Sequence, residues 1–234
     1  GRVAAAFDAG SYALPSGQAV GSGQRGDLAA TLAAILFDTD AREDSAATNP
    51  EFGKLREPII RFTHWARAFE IDSADASNER LLRDTGSSEL LGQHPYRSPS
   101  VFNFYRPGYI APGTETGAAG LTAPEMQIAN AATVMGYPNL LTIYALGVSP
   151  LVNPAADRTF TTGYTAELAL AADSEALLDH LDLLLTHGTL HEDTRARISA
   201  ALDVIDPGSD AGRLGRARLA SVMVMTSPEY LVLR

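Results

Sequence analysis

Apolar positions recur at helical spacing in blocks separated by polar or glycine-rich stretches. Residues 2–7 read as the end of a helix, because no capping residue precedes them. They run into a Gly/Ser-rich stretch over 10–26, which reads as a flexible link. Within it, Gly21-Ser22-Gly23-Gln24-Arg25-Gly26 lacks the Gly-Lys-Ser/Thr ending of a phosphate loop. Asp27 is placed to cap a helix over 28–42, with Leu28, Leu32, Ile35 and Leu36 on one face. Pro58 opens a second helix that would bury Ile59, Ile60, Phe62, Trp65, Ala66 and Phe69.

Residues 72–93 are polar and irregular and read as a surface excursion. From 94 to 120 the chain is dense in proline, glycine and aromatics, and no period fits it. Thr122 and Glu125 are spaced as a capping box, predicting a helix to about residue 135 that breaks at Gly136 and restarts at Pro138. Residues 147–164 read as another loop. Asp173 caps a helix with a stripe of Leu177, Leu178, Leu181, Leu184 and Leu185, closed by Gly188. Two more helices are predicted over 192–205 and 213–225, with a short turn opening at Ser227-Pro228. No stretch reads as a sheet. The pattern predicts an all-α protein: an irregular multi-helix domain with long, ordered, aromatic- and proline-rich loops. Its expected organisation is a helix end and link over 1–26, then a compact helical part over 27–234.

Composition narrows the function classes. The 234 residues are 45% hydrophobic and 20% charged, which is globular rather than disordered. A formal charge of −10 argues against a nucleic-acid surface, and no apolar run is long enough to span a bilayer. Cysteine is absent, which removes disulfides, thiolate metal sites, thiol nucleophiles and haem attachment by Cys-x-x-Cys-His. Lys54 is the only lysine among 18 basic residues, the rest being arginine.

No catalytic motif emerges. His187 and His191 have i, i+4 spacing, but Gly188 between them separates two predicted helices and stands where a zinc-protease pattern needs glutamate. Asp38, Asp40, Glu43 and Asp44 lack the glycine and closing glutamate of a calcium loop. There is no Gly-x-Ser-x-Gly elbow. Neither a metal nor a cofactor is therefore expected. The candidate functional or loop-ordering residues are Arg97, Ser98, Asn103, Tyr105, Arg106, Glu125 and Gln127. An irregular apolar loop must satisfy its own backbone, since each buried unpaired carbonyl costs about 1–3 kcal/mol. Arg97, Arg106 and Asn103 are the expected donors, at least one arginine bonding backbone oxygens or a carboxylate. Phe102 is expected to be buried, so that Phe102→Ala would cost roughly 3–5 kcal/mol.

The run Arg97-Ser98-Pro99-Ser100-Val101-Phe102-Asn103-Phe104-Tyr105-Arg106-Pro107-Gly108-Tyr109, followed by Leu121-Thr122-Ala123-Pro124-Glu125-Met126-Gln127-Ile128, resembles the bacterial domain-of-unknown-function family 1800. So do Arg25-Gly26-Asp27-Leu28, Lys54-Leu55-Arg56-Glu57-Pro58 and Met225-Thr226-Ser227-Pro228-Glu229-Tyr230, in the same order. The resemblance implies an exported protein (periplasmic, cell-surface or extracellular) of which this chain is the C-terminal half, and it brings no established activity. The expected function is a structural or protein-binding component of an extracellular or cell-envelope assembly, partnered by another protein chain or by the N-terminal half of its own precursor. The alternative is a hydrolase acting on an extracellular polymer, with its site in the 94–130 loop and helix.

Overall fold

The computed structural model describes residues 1–42, 49, 51–73, 85–146, 160–161 and 163–233. Among them the chain is mostly helical, and strand is confined to two-residue antiparallel ladders. The readings of 43–44, 74–84 and 147–159 lie outside the described residues. Two compact units divide the chain after Gly53.

In the first unit, α1 (Arg2–Ala9) ends at Gly10 in the left-handed region. The glycine-rich stretch that follows is not a bare link: β1 (Tyr12–Ala13) pairs with β2 (Ala19–Val20) as a hairpin. Gly21 (φ +114°) must be glycine, since a Cβ there would meet the Gly10 carbonyl at 2.2 Å. Asp27 caps α2 (Leu28–Leu36) as the sequence predicts, accepting the Ala30 N–H at 2.9 Å and the Ser22 N–H at 2.8 Å. These amides, Ala30's first, hold its carboxyl down at about 2.

The helix stops earlier than expected. Asp38 turns to form a two-pronged pair with Arg2 (2.8 and 2.6 Å) and accepts the Asp40 N–H, so a separate short helix, α3 (Thr39–Arg42), begins. Ala30, Ala33 and Ala34 are the buried face of α2, which packs against α1. Leu28, Leu32, Ile35 and Leu36 face outward.

The second unit is built around α4 (Pro58–Ala68), α6 (Thr133–Leu146), α8 (Ser174–Leu181), α9 (Glu192–Leu202) and α10 (Asp210–Met225). Between them stand α5 (Glu115–Ala118), a 3₁₀ turn over Pro124–Gln127 and α7 (Thr165–Leu170). The long α10 packs against α6, α8 and α9. Phe62, Trp65, Leu141, Leu178, Leu181, Ile198, Val224 and Tyr230 form the centre of one apolar core. Phe62, Trp65 and Phe69 of the α4 region are buried as predicted, whereas Ile60 is half exposed. Part of the expected surface excursion is also buried, at Thr85, Leu91 and Gln93.

The predicted break at Gly136 and Pro138 does not occur, and α6 continues through both. A Cβ on Gly136 would lie 1.9 Å from the Leu90 carbonyl, so the glycine serves a close backbone approach. The leucine helix α8 is capped by Asp173 as expected and runs into a π turn, Asp182–Thr186, closed by His187 at φ +59°. His191 is the N-cap of α9, so the two histidines share no helical face.

Arg216 is buried on α10 and donates to the Leu202, Ala171 and Ala172 carbonyls at 2.8–3.1 Å and to Ser174 Oγ at 3.0 Å. One guanidinium thus pins the ends of α7 and α9 and the start of α8. Ser227 caps α11 (Pro228–Leu231), and β4 (Val232–Leu233) then pairs with β3 (Lys54–Leu55).

Tyr230, on α11, reaches the core and donates its hydroxyl to the Arg61 carbonyl at 3.2 Å. His64 Nδ1 lies 3.1 Å from both that hydroxyl and Arg56 Nη1. Arginine can only donate, so Nδ1 accepts and the imidazole is neutral. Burial first, then Arg56, His187 and Arg67, hold the His64 pKa below its ordinary value.

Candidate functional site

The foot of the aromatic loop is fixed to the start of α4. Thr85 Oγ1 donates to the Gln93 carbonyl at 2.6 Å, and the Gln93 side chain bridges two groups beside Pro58. It accepts the Ile59 N–H at 3.1 Å and donates to Glu57 Oε2 at 2.6 Å. Glu57 lies near the Tyr105 hydroxyl. Burial, Glu57 and the nearby Glu125 together push the Tyr105 pKa well up, keeping it a protonated donor.

Glu125 does not complete a capping box. The expected helix from Thr122 is only the 3₁₀ turn, its N-cap is Ala123, and no side chain caps it. Instead Glu125 turns inward, 4% exposed, with Lys54 Nζ 3.5 Å away. A buried carboxylate needs a cation or donors nearby, and the chain's one lysine, on the β3 ladder, supplies the charge. Gln127 Oε1 accepts the main-chain N–H of Arg106 at 2.9 Å, and the Tyr109 carbonyl accepts the Ala123 N–H at 2.9 Å. The returning arm of the loop is thereby laid against residues 123–127.

The outer arm carries local hydrogen bonds of its own. Ser100 is its centre: Ser98 Oγ and the Asn103 N–H donate to its carbonyl at 3.1 and 3.2 Å. The Phe102 N–H donates to its hydroxyl at 3.2 Å. Tyr96 (φ +62°) and Asn103 (φ +72°) adopt left-handed turns. Serine hydroxyls and local turns supply these hydrogen bonds. The Arg106 group engaged is its main-chain N–H.

Phe102 is not buried. It is 78% exposed, the adjacent Val101 is 94% exposed, and Tyr96 is fully exposed. The expectation of a core phenylalanine fails because the serine-centred turns leave the arm no need to fold onto the 123–127 turn.

The predicted residues fall into two groups. Tyr105, Arg106, Glu125 and Gln127 converge at the loop's base, while Arg97, Ser98 and Asn103 stand on the exposed arm. Sequence reasoning missed Lys54, Glu57 and Gln93. Lys54 carried a signal as the only lysine, and Glu57 as a carboxylate directly before the helix-opening proline. Gln93 carried none. Among the described residues, no group of three or more His, Cys, Asp or Glu side chains could hold a metal ion, and no helix is long and apolar enough to cross a membrane.

Neither the curated proteins nor the solved structures give a significant match to this sequence. One family model does, that described as protein of unknown function (DUF1800), and it matches residues 17–232. With nearly the whole sequence inside that match, and with the 97–109 and 121–128 motifs forming one hydrogen-bonded structure, the chain belongs to the DUF1800 family.

Proposed function

We propose that the protein is a docking component of an exported, extracellular or cell-envelope assembly, and that the arm over 96–103 is the surface that meets another protein chain. The observation that carries this reading is an exposed apolar arm on a fixed base. Tyr96, Val101 and Phe102 are each exposed, while Gln93 and Gln127 anchor the two ends. Large apolar side chains held in water without packing at home are the composition of an interface centre. A backbone already ordered before contact reduces the entropy lost on binding. Arg97 and Asn103 supply a polar rim around the apolar centre. Export draws support from the family resemblance, and a cysteine-free chain is compatible with it.

The test is a Val101→Ser/Phe102→Ser double variant expressed in the native host, compared with the parent by mass measurement of the intact purified protein. The expected result is a parent that carries a stoichiometric partner and a variant that runs free with an unchanged melting temperature. Identical masses would remove the reading.

A hydrolase reading draws on one observation, the Tyr105 hydroxyl near the Glu57 and Glu125 carboxylates. Lys54 and Gln93 already occupy those carboxylates, which favours an anchoring role. Glu125→Gln should then lower stability; loss of polymer cleavage at unchanged stability would favour the enzyme.

A further inference from the structure

Two arginines at the start of α4 carry charge that no described acid answers. Arg61 is 6% exposed, and its Nε donates to the Arg56 carbonyl at 2.7 Å. Its guanidinium carbon lies 5.1 Å from the centre of the Tyr137 ring, on α6. The two Nη nitrogens bond to no described residue, yet neither is sealed from solvent. The little of Arg61 that solvent reaches therefore includes its charged end.

Arg56 is partly buried and repeats the arrangement. Its guanidinium carbon lies 4.6 Å from the centre of the Tyr230 ring, and Nη2 donates to the Leu185 carbonyl at 3.4 Å. Nη1 is spent on the neutral His64 ring, and Nε is buried without a partner. An aromatic face steadies a guanidinium but does not neutralise it. The tyrosine hydroxyls are donated elsewhere, Tyr137 to the Met225 carbonyl and Tyr230 to that of Arg61.

The surroundings hold bases and no acid. After burial itself, the groups that act on the Arg61 charge are Tyr137, Tyr230 and Arg56. After burial again, those that act on His64 are Arg56, His187 and Arg67. The chain as a whole has 28 acidic against 18 basic side chains, so this acid-free cluster is a local exception. A buried cation without a counter-charge is costly to keep.

His64 supplies a further donor. Its Nδ1 accepts, so the ring proton sits on Nε2, which bonds to no described residue. Arg61 and His64 are three residues apart on α4 and therefore share a face. Unspent donors beside two fixed positive charges are what a carboxylate or phosphate group requires, and guanidinium groups match both.

We propose that Arg56, Arg61 and His64 form a binding site for a small oxyanion, the carboxylate or phosphate group of a ligand, with the two arginines supplying charge and His64 Nε2 a neutral donor.

The test uses the full chain and follows the His64 ring protons by NMR while sulfate, acetate or chloride is added at constant ionic strength. Sulfate stands for a phosphate group at fixed charge and acetate for a carboxylate. The expected result is a saturable shift with at least one oxyanion and none with chloride; tighter sulfate identifies a phosphate ligand, tighter acetate a carboxylate. Saturating oxyanion should also move the His64 titration midpoint to higher pH, because a bound negative charge favours the protonated ring. Arg61→Gln keeps a donor for the Arg56 carbonyl but loses the charge, and should weaken binding at least tenfold. Arg56→Gln should weaken it as well, and serves if Arg61→Gln does not fold. The Val101→Ser/Phe102→Ser protein should bind like the parent, so this site stands or falls apart from the docking arm. Absence of saturation with both oxyanions, an equal response to chloride, or parental binding by the folded arginine variants would overturn the proposal.

Discussion

Phe102 and Phe62 are the same side chain in opposite surroundings. Phe62 is 3% exposed and packs edge-on against Tyr144 at 5.2 Å, whereas Phe102 projects from a turn whose hydrogen bonds its own serines supply. Phe62→Ala should therefore cost about 3–5 kcal/mol in urea unfolding, the combined transfer and cavity loss. Phe102→Ala should stay within about 0.5 kcal/mol of the parent, as a surface change does. His64 provides a second prediction at this scale. Its neutral ring is held between Arg56 and Tyr230, and burial first, then the charge of Arg56, sets its folded-state pKa below the unfolded value. The unfolded chain thus binds the extra proton more readily as pH falls. This contribution to stability is fully present above about pH 6.5 and is lost as pH drops from there through the folded-state pKa. Unfolding free energies at pH 7.5 and 5.5 should show the fall, and His64→Gln should flatten it.

At the scale of elements, close backbone contact decides cases that periodicity leaves open. Gly136→Ala should be destabilising, by about 1–3 kcal/mol or more, because the new methyl overlaps the Leu90 carbonyl; thermal unfolding checks it. The same contact explains a misreading. Glycine followed by proline looks like a break, yet the glycine admits a neighbouring strand of chain. Pro138 removes only one hydrogen bond close to the helix start. Asp27 and Asp173 were legible because a cap is a local pairing of one side chain with amides two or three residues on. The leucine stripe of α8 was legible because it faces the core. The stripe of α2 was not: its alanines permit closer helix contact, and they, not the leucines, turn inward. The candidate site was half legible. Tyr105, Arg106, Glu125 and Gln127 were recognisable in the 97–128 motifs, but Lys54, Glu57 and Gln93 reach them only through the fold.

Over the whole molecule, a few buried polar groups hold helices that share no sequence neighbourhood. Arg216 joins the ends of three of them, and lysine cannot reproduce a planar fork of five donors. Arg216→Lys should lower stability by about 3 kcal/mol, since it leaves buried carbonyls unpaired; calorimetry would register it as a lower, still cooperative transition. The rigid helical unit so formed carries an exposed apolar arm, and the account turns on that arm being a docking surface. Its most direct measurement is site-specific photocrosslinking in the native host, with a photoreactive residue at 102 and, as a control, at the equally exposed Val204. The account predicts one discrete protein adduct from position 102, absent from position 204 and lost when Val101 is also changed to serine. No adduct at 102, or the same adducts from both positions, would contradict it.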